Sequence, residues 1–98
     1  MNIQEEFNEG ILTVKPEGNL DTLSSPKLEA FLKPRCEEVR GIILDLEKVG
    51  YISSAGIRVI VQTHKKMKDK DGLLIRNACE KVMEVLELTG YVHVLAFG

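Results

Sequence analysis

The alternation of short apolar segments with segments of helical periodicity most constrains how this chain can fold. Residues 41–46, Gly-Ile-Ile-Leu-Asp-Leu, form an apolar run without two-residue alternation, which is typical of a central strand covered on both faces. A segment of helical spacing follows, from Ser53 or Ser54 to about Asp69. Its predicted inner face consists of Ile57, Ile60, Val61, His64 and Met67.

An N-terminal hairpin precedes this unit. Residues 3–7 and 11–14 are predicted strands, and the turn chemistry of residues 8–10 joins them. Pro16 and Gly18 are expected to end the second strand, because proline cannot donate to a sheet ladder and glycine weakens a strand.

The first helix is predicted to follow this hairpin. Ser25 is its predicted N-cap, and Pro26, which has no N–H group to leave unpaired, is its predicted first residue. Pro34 removes a backbone hydrogen bond inside the helix, so we expect the helix to kink or restart there.

The last third of the chain continues the alternation. Residues 73–76 are a predicted strand, and Asn77 and Glu80 have the spacing of a capping box for a third helix. Gly90 is expected to end that helix, and residues 91–97 are the last predicted strand. Alternating strands and helices imply right-handed crossovers. The sequence therefore predicts an α/β fold with a mostly parallel central sheet, an N-terminal β-hairpin and about three helices.

Composition limits the class of protein. A chain of 98 residues with a hydrophobic fraction of 44% is sufficient for one core, so we expect one domain over residues 1–98. The net charge of -2, with both signs mixed along the chain, argues against nucleic acid or an anionic membrane surface as a partner. No apolar run approaches the roughly 18 to 20 residues of a membrane span, and the N-terminus has no signal-peptide pattern. We expect a cytoplasmic protein.

The cysteines and histidines do not form a metal or redox motif. Cys36 and Cys79 are far apart in sequence and are expected to be free thiols, with Cys79 as a small buried residue near a helix start. His64 and His93 have no second histidine or acidic residue at ligand spacing. We therefore predict no metal and no cofactor.

Residues 49–61 contain the candidate functional residues. A strand is predicted to end and a helix to begin at Ser53 and Ser54, where the first N–H groups of the helix lack partners and negative charge is favoured. One interpretation is that either serine is simply an N-cap, and spacing alone favours it. The other is that Ser54, or alternatively Ser53, accepts a phosphate. A phosphoserine adds about -1.5 to -2 charge, which a docked partner would feel.

Catalysis by this segment is not predicted. There is no Gly-x-Ser-x-Gly elbow, and His64 lies ten residues beyond Ser54, which is roughly 15 Å along a helix and out of hydrogen-bond reach. Phosphate-binding and dinucleotide-binding glycine motifs are absent. Asp45 lies at the end of the predicted central strand, but without neighbouring carboxylates for a metal ion we predict a structural role for it. We assign no catalytic residue.

Three motifs in the right order, at residues 18–21, 43–46 and 49–57, resemble the STAS domain family, the sulphate transporter and anti-sigma factor antagonist domains. The similarity covers essentially the whole chain. It implies a bacterial regulatory module whose stand-alone form binds an anti-sigma factor with serine kinase activity and so releases a sigma factor. It also implies that the partner's ATP supplies a phosphate to the serine matching Ser54, that a serine phosphatase can act as a further partner, and that this chain is no enzyme.

The resemblance also implies a docking surface. Its predicted residues are Asp21, Ser53, Ser54, Ala55, Gly56 and Arg58. Asp21 matches an acidic loop residue of the family near the serine, and Gly56 is expected to let a partner approach the helix start. Ser53 stands where the family often has Asp, and the further C-terminal helix of many relatives is not expected here. The alternative function is an accessory subunit of a lipid-transport ATPase or a signalling scaffold, docked permanently through the same surface.

Overall fold

Five strands in chain order form one sheet in the computed structural model, which describes all 98 residues. The first two strands are antiparallel, and each later strand is parallel to its neighbour. This confirms the predicted fold class. The elements are β1 (Asn2–Asn8), β2 (Ile11–Glu17), α1 (Ser25–Glu38), β3 (Gly41–Asp45), α2 (Ser54–Met67), β4 (Gly72–Arg76), α3 (Glu80–Leu88), a 3-10 turn (Tyr91–His93) and β5 (Ala96–Phe97).

The expectation that β3 is covered on both faces is wrong. Ile42 and Leu44 are buried in the single core, whereas Ile43, which points to the other face, is only half-buried and lies outside that core. The reason is the strand order. When neighbouring strands follow each other in the chain, right-handed crossovers place every helix on the same face of the sheet. β3 is central but is covered on one side.

The hairpin forms as predicted but is longer. Glu9 and Gly10 have positive φ angles of 51° and 87°, which suit the tight turn between β1 and β2. β2 continues through Pro16 to Glu17, so Pro16 does not end it. Pairing with β3 covers only Ile11 to Val14, and beyond that point the missing N–H of Pro16 interrupts no ladder on that side.

The start and the middle of α1 differ from prediction. Its N-cap is Ser24, and Ser25 is its first residue, buried with no hydrogen-bond partner for its hydroxyl oxygen. The helix is assigned continuously through Pro34, so no restart occurs. At its end, the ammonium group of Lys70 donates to the carbonyl oxygens of Cys36 and Val39 at 2.6 and 2.9 Å.

The buried face of α2 is wider than its predicted stripe. Ile57, Ile60 and Met67 are buried as expected, but Val61 and His64 are half-buried. Val59 and Thr63 are buried instead, because α2 packs against α1 as well as the sheet. They face Leu32 and Cys36 of α1 across a small gap.

The predicted capping box of α3 is wrong. Asn77 has a left-handed conformation, with φ of 59°, and its amide donates to Asp45 Oδ1 at 3.1 Å. The N-cap is Cys79, half-buried, and the helix begins at Glu80. Gly90 adopts the predicted left-handed conformation after α3. The last strand is only Ala96–Phe97, because residues 91–93 form a 3-10 turn.

Cys36 and Cys79 are both free, and burial raises the pKa of the Cys36 thiol. None of the helices has the length and apolar character needed to cross a membrane.

Replacing Leu44 and Ile43 separately tests the one-faced sheet. We expect Leu44→Ala to lower the free energy of unfolding by about 2–5 kcal/mol, because it empties a fully buried core position. Ile43→Ala, on the open face, should cost clearly less. Urea denaturation of both variants measures the difference, and equal losses would contradict a sheet that is covered on one side only.

Candidate functional site

Two loops at the carboxyl ends of β2 and β3 are joined by backbone hydrogen bonds. Leu20 and Ile52 form an isolated parallel bridge. The N–H of Leu20 donates to the carbonyl of Tyr51 at 2.9 Å, and the N–H of Ser53 donates to the carbonyl of Leu20 at 2.8 Å. This bridge places the loop of Asp21 beside the serines, as the resemblance implied.

Gly56 makes this junction possible by close packing inside the protein. A Cβ atom there would lie 2.9 Å from both Leu20 Cβ and Ile52 Cγ1 and 3.0 Å from the carbonyl oxygen of Leu20. Gly56 is buried, so the expectation that it opens the helix start to a partner is wrong. The close approach that it permits is to Leu20 of the same chain.

The two serines have different environments. Ser53 is the N-cap of α2, half-buried, and its Oγ accepts the N–H of Gly56 at 3.4 Å. Ser54 is the first helical residue and is exposed, and its hydroxyl makes no hydrogen bond within the protein. The N–H groups of Ser54 and Ala55 also have no backbone acceptor, as expected at the start of a helix. No acidic residue occupies the first turn of α2. The free hydroxyl at this helix start is therefore that of Ser54.

Asp21 shapes the neighbouring loop. Its Oδ1 accepts the N–H groups of Leu23 and Ser24 at 3.0 and 2.9 Å, while its own N–H donates to Ser24 Oγ at 3.0 Å. The pKa of the Asp21 carboxyl is held below its usual range. The largest cause is the hydrogen bond from the backbone N–H of Ser24, and the second is the Ser24 hydroxyl. The carboxylate is thus charged at neutral pH and is only partly buried.

A groove of about 190 Å³ runs between the first turns of α1 and α2. Ala55 and Arg58 contribute to it from α2, one residue and one turn beyond Ser54 respectively. Arg58 is exposed and takes part in none of the ion pairs of the structure. From the α1 side the groove is lined by Thr22, Ser25, Pro26 and Glu29.

Two exposed apolar side chains in the same two loops were not predicted from the sequence. Leu23 is 85% exposed and follows Asp21 in its turn, and Tyr51 is 45% exposed and comes just before the serine corner. Leu23 stands in a polar loop without periodicity, so no pattern identified it. Tyr51 lies within the recognised motif, but its exposure depends on the path of the loop.

Asp45 has the structural role that the sequence predicted. It is 9% exposed and accepts hydrogen bonds from the N–H of Glu47 at 3.0 Å and from the side chain of Asn77. These contacts tie the end of β3 to the loop after β4. The structure contains no cluster of three or more metal-ligating side chains.

Comparison with known proteins assigns the family. A family model described as the STAS domain matches residues 2–97. The anti-sigma-B factor antagonist of Bacillus subtilis is 29% identical over 96 residues, covering 97% of this chain and 88% of that protein. Its counterpart in Staphylococcus aureus is 33% identical over 92 residues, covering 92% and 85%. The chain belongs to the STAS domain family.

Solved structures support the same fold at lower identity. An anti-sigma factor antagonist from Mycobacterium paratuberculosis is 20% identical with a TM-score of 0.89, covering 98% of this chain and 83% of that chain. The antagonist SpoIIAA is 17% identical in its unphosphorylated form, with a TM-score of 0.82 and coverages of 99% and 88%. Its phosphorylated form, from Bacillus, is 16% identical with a TM-score of 0.75 and coverages of 99% and 91%.

Separate alanine substitutions test the different environments of the serines. We expect Ser53→Ala to lower the free energy of unfolding by about 1 kcal/mol, because the cap of α2 is lost. Ser54→Ala removes a hydroxyl without a partner and should change stability by less than about 0.5 kcal/mol. Urea denaturation compares the two, and a larger loss for Ser54→Ala would contradict the assignment of the cap.

Proposed function

We propose that this protein is an anti-sigma factor antagonist, a single STAS domain over residues 1–98 that is switched by phosphorylation at Ser54. The observation that carries the proposal is the free, exposed hydroxyl of Ser54 at the start of α2, beside a Ser53 that is already used as the cap. The names of the Bacillus and Staphylococcus relatives support the antagonist role. The phosphorylated form of SpoIIAA supports a phosphate on an antagonist of this fold.

The partner in this proposal is an anti-sigma factor with serine kinase activity. Its bound ATP is the phosphate donor. The Ser54 oxygen forms a bond to the γ-phosphorus, the bond from that phosphorus to the bridging oxygen breaks, and ADP leaves while the hydroxyl proton passes to a base of the kinase. The chain supplies only the accepting hydroxyl, so it is a substrate and not an enzyme. A serine phosphatase would reverse the modification.

Phosphorylation acts on the docking surface rather than on the fold. The phosphate is placed at an exposed position where the N–H groups of Ser54 and Ala55 are free, so it can be accommodated without breaking an existing hydrogen bond. A docked partner, in contrast, would have to bury a dianion, which is costly without a matched cation. The unphosphorylated protein therefore binds the anti-sigma factor, and the phosphorylated protein releases it.

The proposed docking surface is formed by the two bridged loops and the first turn of α2. Asp21 gives it a fixed negative charge, Leu23 and Tyr51 give it exposed apolar area, and Ala55 and Arg58 line the adjoining groove. A few side chains contribute most of the binding energy of an interface, and tyrosine and arginine are enriched among them. Since the partner and its ATP are available in the cytoplasm, we place the protein there.

Mass spectrometry after incubation with the partner kinase and ATP tests the switch. We expect one phosphate, located on Ser54, because only this serine combines exposure with a free hydroxyl. Ser54→Ala should accept none, and Ser53→Ala, which keeps the exposed acceptor, should still accept one. A phosphate on Ser53, or none on the native chain, would overturn the proposed acceptor.

Ser54→Asp separates the switch from permanent docking. A carboxylate at the exposed helix start places negative charge on the docking surface, so we expect binding to the anti-sigma factor to weaken by about tenfold or more. Calorimetry with the purified partner measures the affinity, with Ser54→Asn as the uncharged control of equal size. Permanent docking of an accessory subunit should be affected less by this substitution, and equal affinities of the two variants for the anti-sigma factor would contradict the switch.

A further inference from the structure

Arg58 is the exposed cation closest in sequence to Ser54 on α2. The two residues are separated by four positions, so their side chains lie on the same face, about one turn apart. A long side chain in a helix leans toward the N-terminus of that helix. Arg58 can therefore reach back toward the turn that contains Ser54 and Ala55, and it lines the same groove as Ala55.

The structure does not provide a partner for this charge. The four ion pairs of the structure involve other residues, and no carboxylate oxygen lies within 4.0 Å of Arg58. Glu29 lines the same groove but makes no such pair. An unpaired guanidinium with five donors is suited to two-point binding of a phosphate.

The groove also contains an unused polar group. Ser25, at the start of α1, is 1% exposed and lines the groove opposite Ala55 and Arg58, and its Oγ has no hydrogen-bond partner. Buried polar groups without a partner are uncommon. A hydroxyl and a guanidinium that both lack acceptors favour an occupant that carries oxygen acceptors.

We propose that Arg58 is the internal counter-ion of a phosphate on Ser54. This inference rests on the proposed phosphorylation and adds the residue that receives the modified side chain. The phosphate oxygens accept from the guanidinium of Arg58 and from the free N–H groups at the start of α2. Without the phosphate, the same guanidinium remains available to the partner that occupies the docking surface.

Pairing of Arg58 with the phosphate is a second reason for the release of the partner. The phosphate adds negative charge to the docking surface and also engages Arg58, which lines the groove. The N–H donors of Arg58 that the phosphate engages are no longer available to a carboxylate of the partner. The two effects act on the same surface, and neither requires a change in the fold.

The test places phosphoserine at position 54 of the full chain during synthesis, so that no kinase is needed. Phosphorus NMR then follows the second ionisation of the phosphate, whose pKa is about 6 without a partner. A neighbouring cation favours the dianion, so we expect this pKa to be about half a unit lower in the native sequence than in Arg58→Gln at about 0.15 M salt, where the screening length is about 8 Å. Arg58→Lys, a point charge without the fork, should recover only part of the difference.

Arg76→Gln is the matched control, because Arg76 is exposed at the same end of the sheet but lies on β4. This variant loses the same charge and should leave the phosphate pKa within about 0.1 unit of the native value, since distant exposed charges are screened. Equal pKa values for the native and Arg58→Gln proteins would overturn the proposal, as would equal shifts in Arg58→Gln and Arg76→Gln. If the pKa difference is found but the kinase does not modify Ser54, the proposed function fails and the pairing stands.

Discussion

The contact of Leu20 with Ile52 and Gly56 is the constraint on which the site depends. Leu20 is fully buried, and its backbone forms both hydrogen bonds that join the loop after β2 to the segment before α2. Only a residue without a side chain allows α2 to start this close to Leu20. The contact fixes where α2 begins, and thereby which serine is half-buried and which is exposed.

Because α2 begins at this position, the two adjacent serines have different environments. Ser53 is held by the bridge to Leu20 and satisfies the N–H of Gly56. Ser54, one residue later, is turned to solvent and keeps an unused hydroxyl. In the STAS domain family, which the sequence resembles, Asp often stands at the position of Ser53. A serine oxygen caps a helix about as well as a carboxylate, so Ser53 caps α2 without adding a negative charge beside Ser54, the proposed acceptor.

The sequence predicted the parts of the fold that depend on local pattern, and missed those that depend on neighbours. The apolar run of β3 and the helical spacing of α2 follow from residues close in the chain. The open face beside Ile43 depends on the strand order, which no local pattern contains. Asn77 had the spacing of a cap, but its amide is used by Asp45 of the neighbouring strand.

The same distinction between local pattern and contacts with neighbouring elements applies to the candidate site. Motifs identified Asp21, Ser53 and Ser54, and the structure brings them together through a bridge between two loops. The resemblance also placed Arg58 on the docking surface, but not in a groove, because the groove exists only where α1 and α2 meet. Leu23 and Gly56 are two residues whose exposure the sequence did not predict. An exposed apolar residue had no pattern to indicate it, and a glycine expected at the surface is buried.

The rigidity of the surroundings explains why a modification at Ser54 would be sensed by a partner rather than by the fold. Asp21 and its turn are fixed by three hydrogen bonds, and the bridge fixes that turn to the serine corner. A phosphate at an exposed helix start with free N–H groups displaces none of these contacts. In the proposed switch, the added charge would change the free energy of the complex and leave the free energy of folding almost unchanged, which is the difference that reversible docking requires.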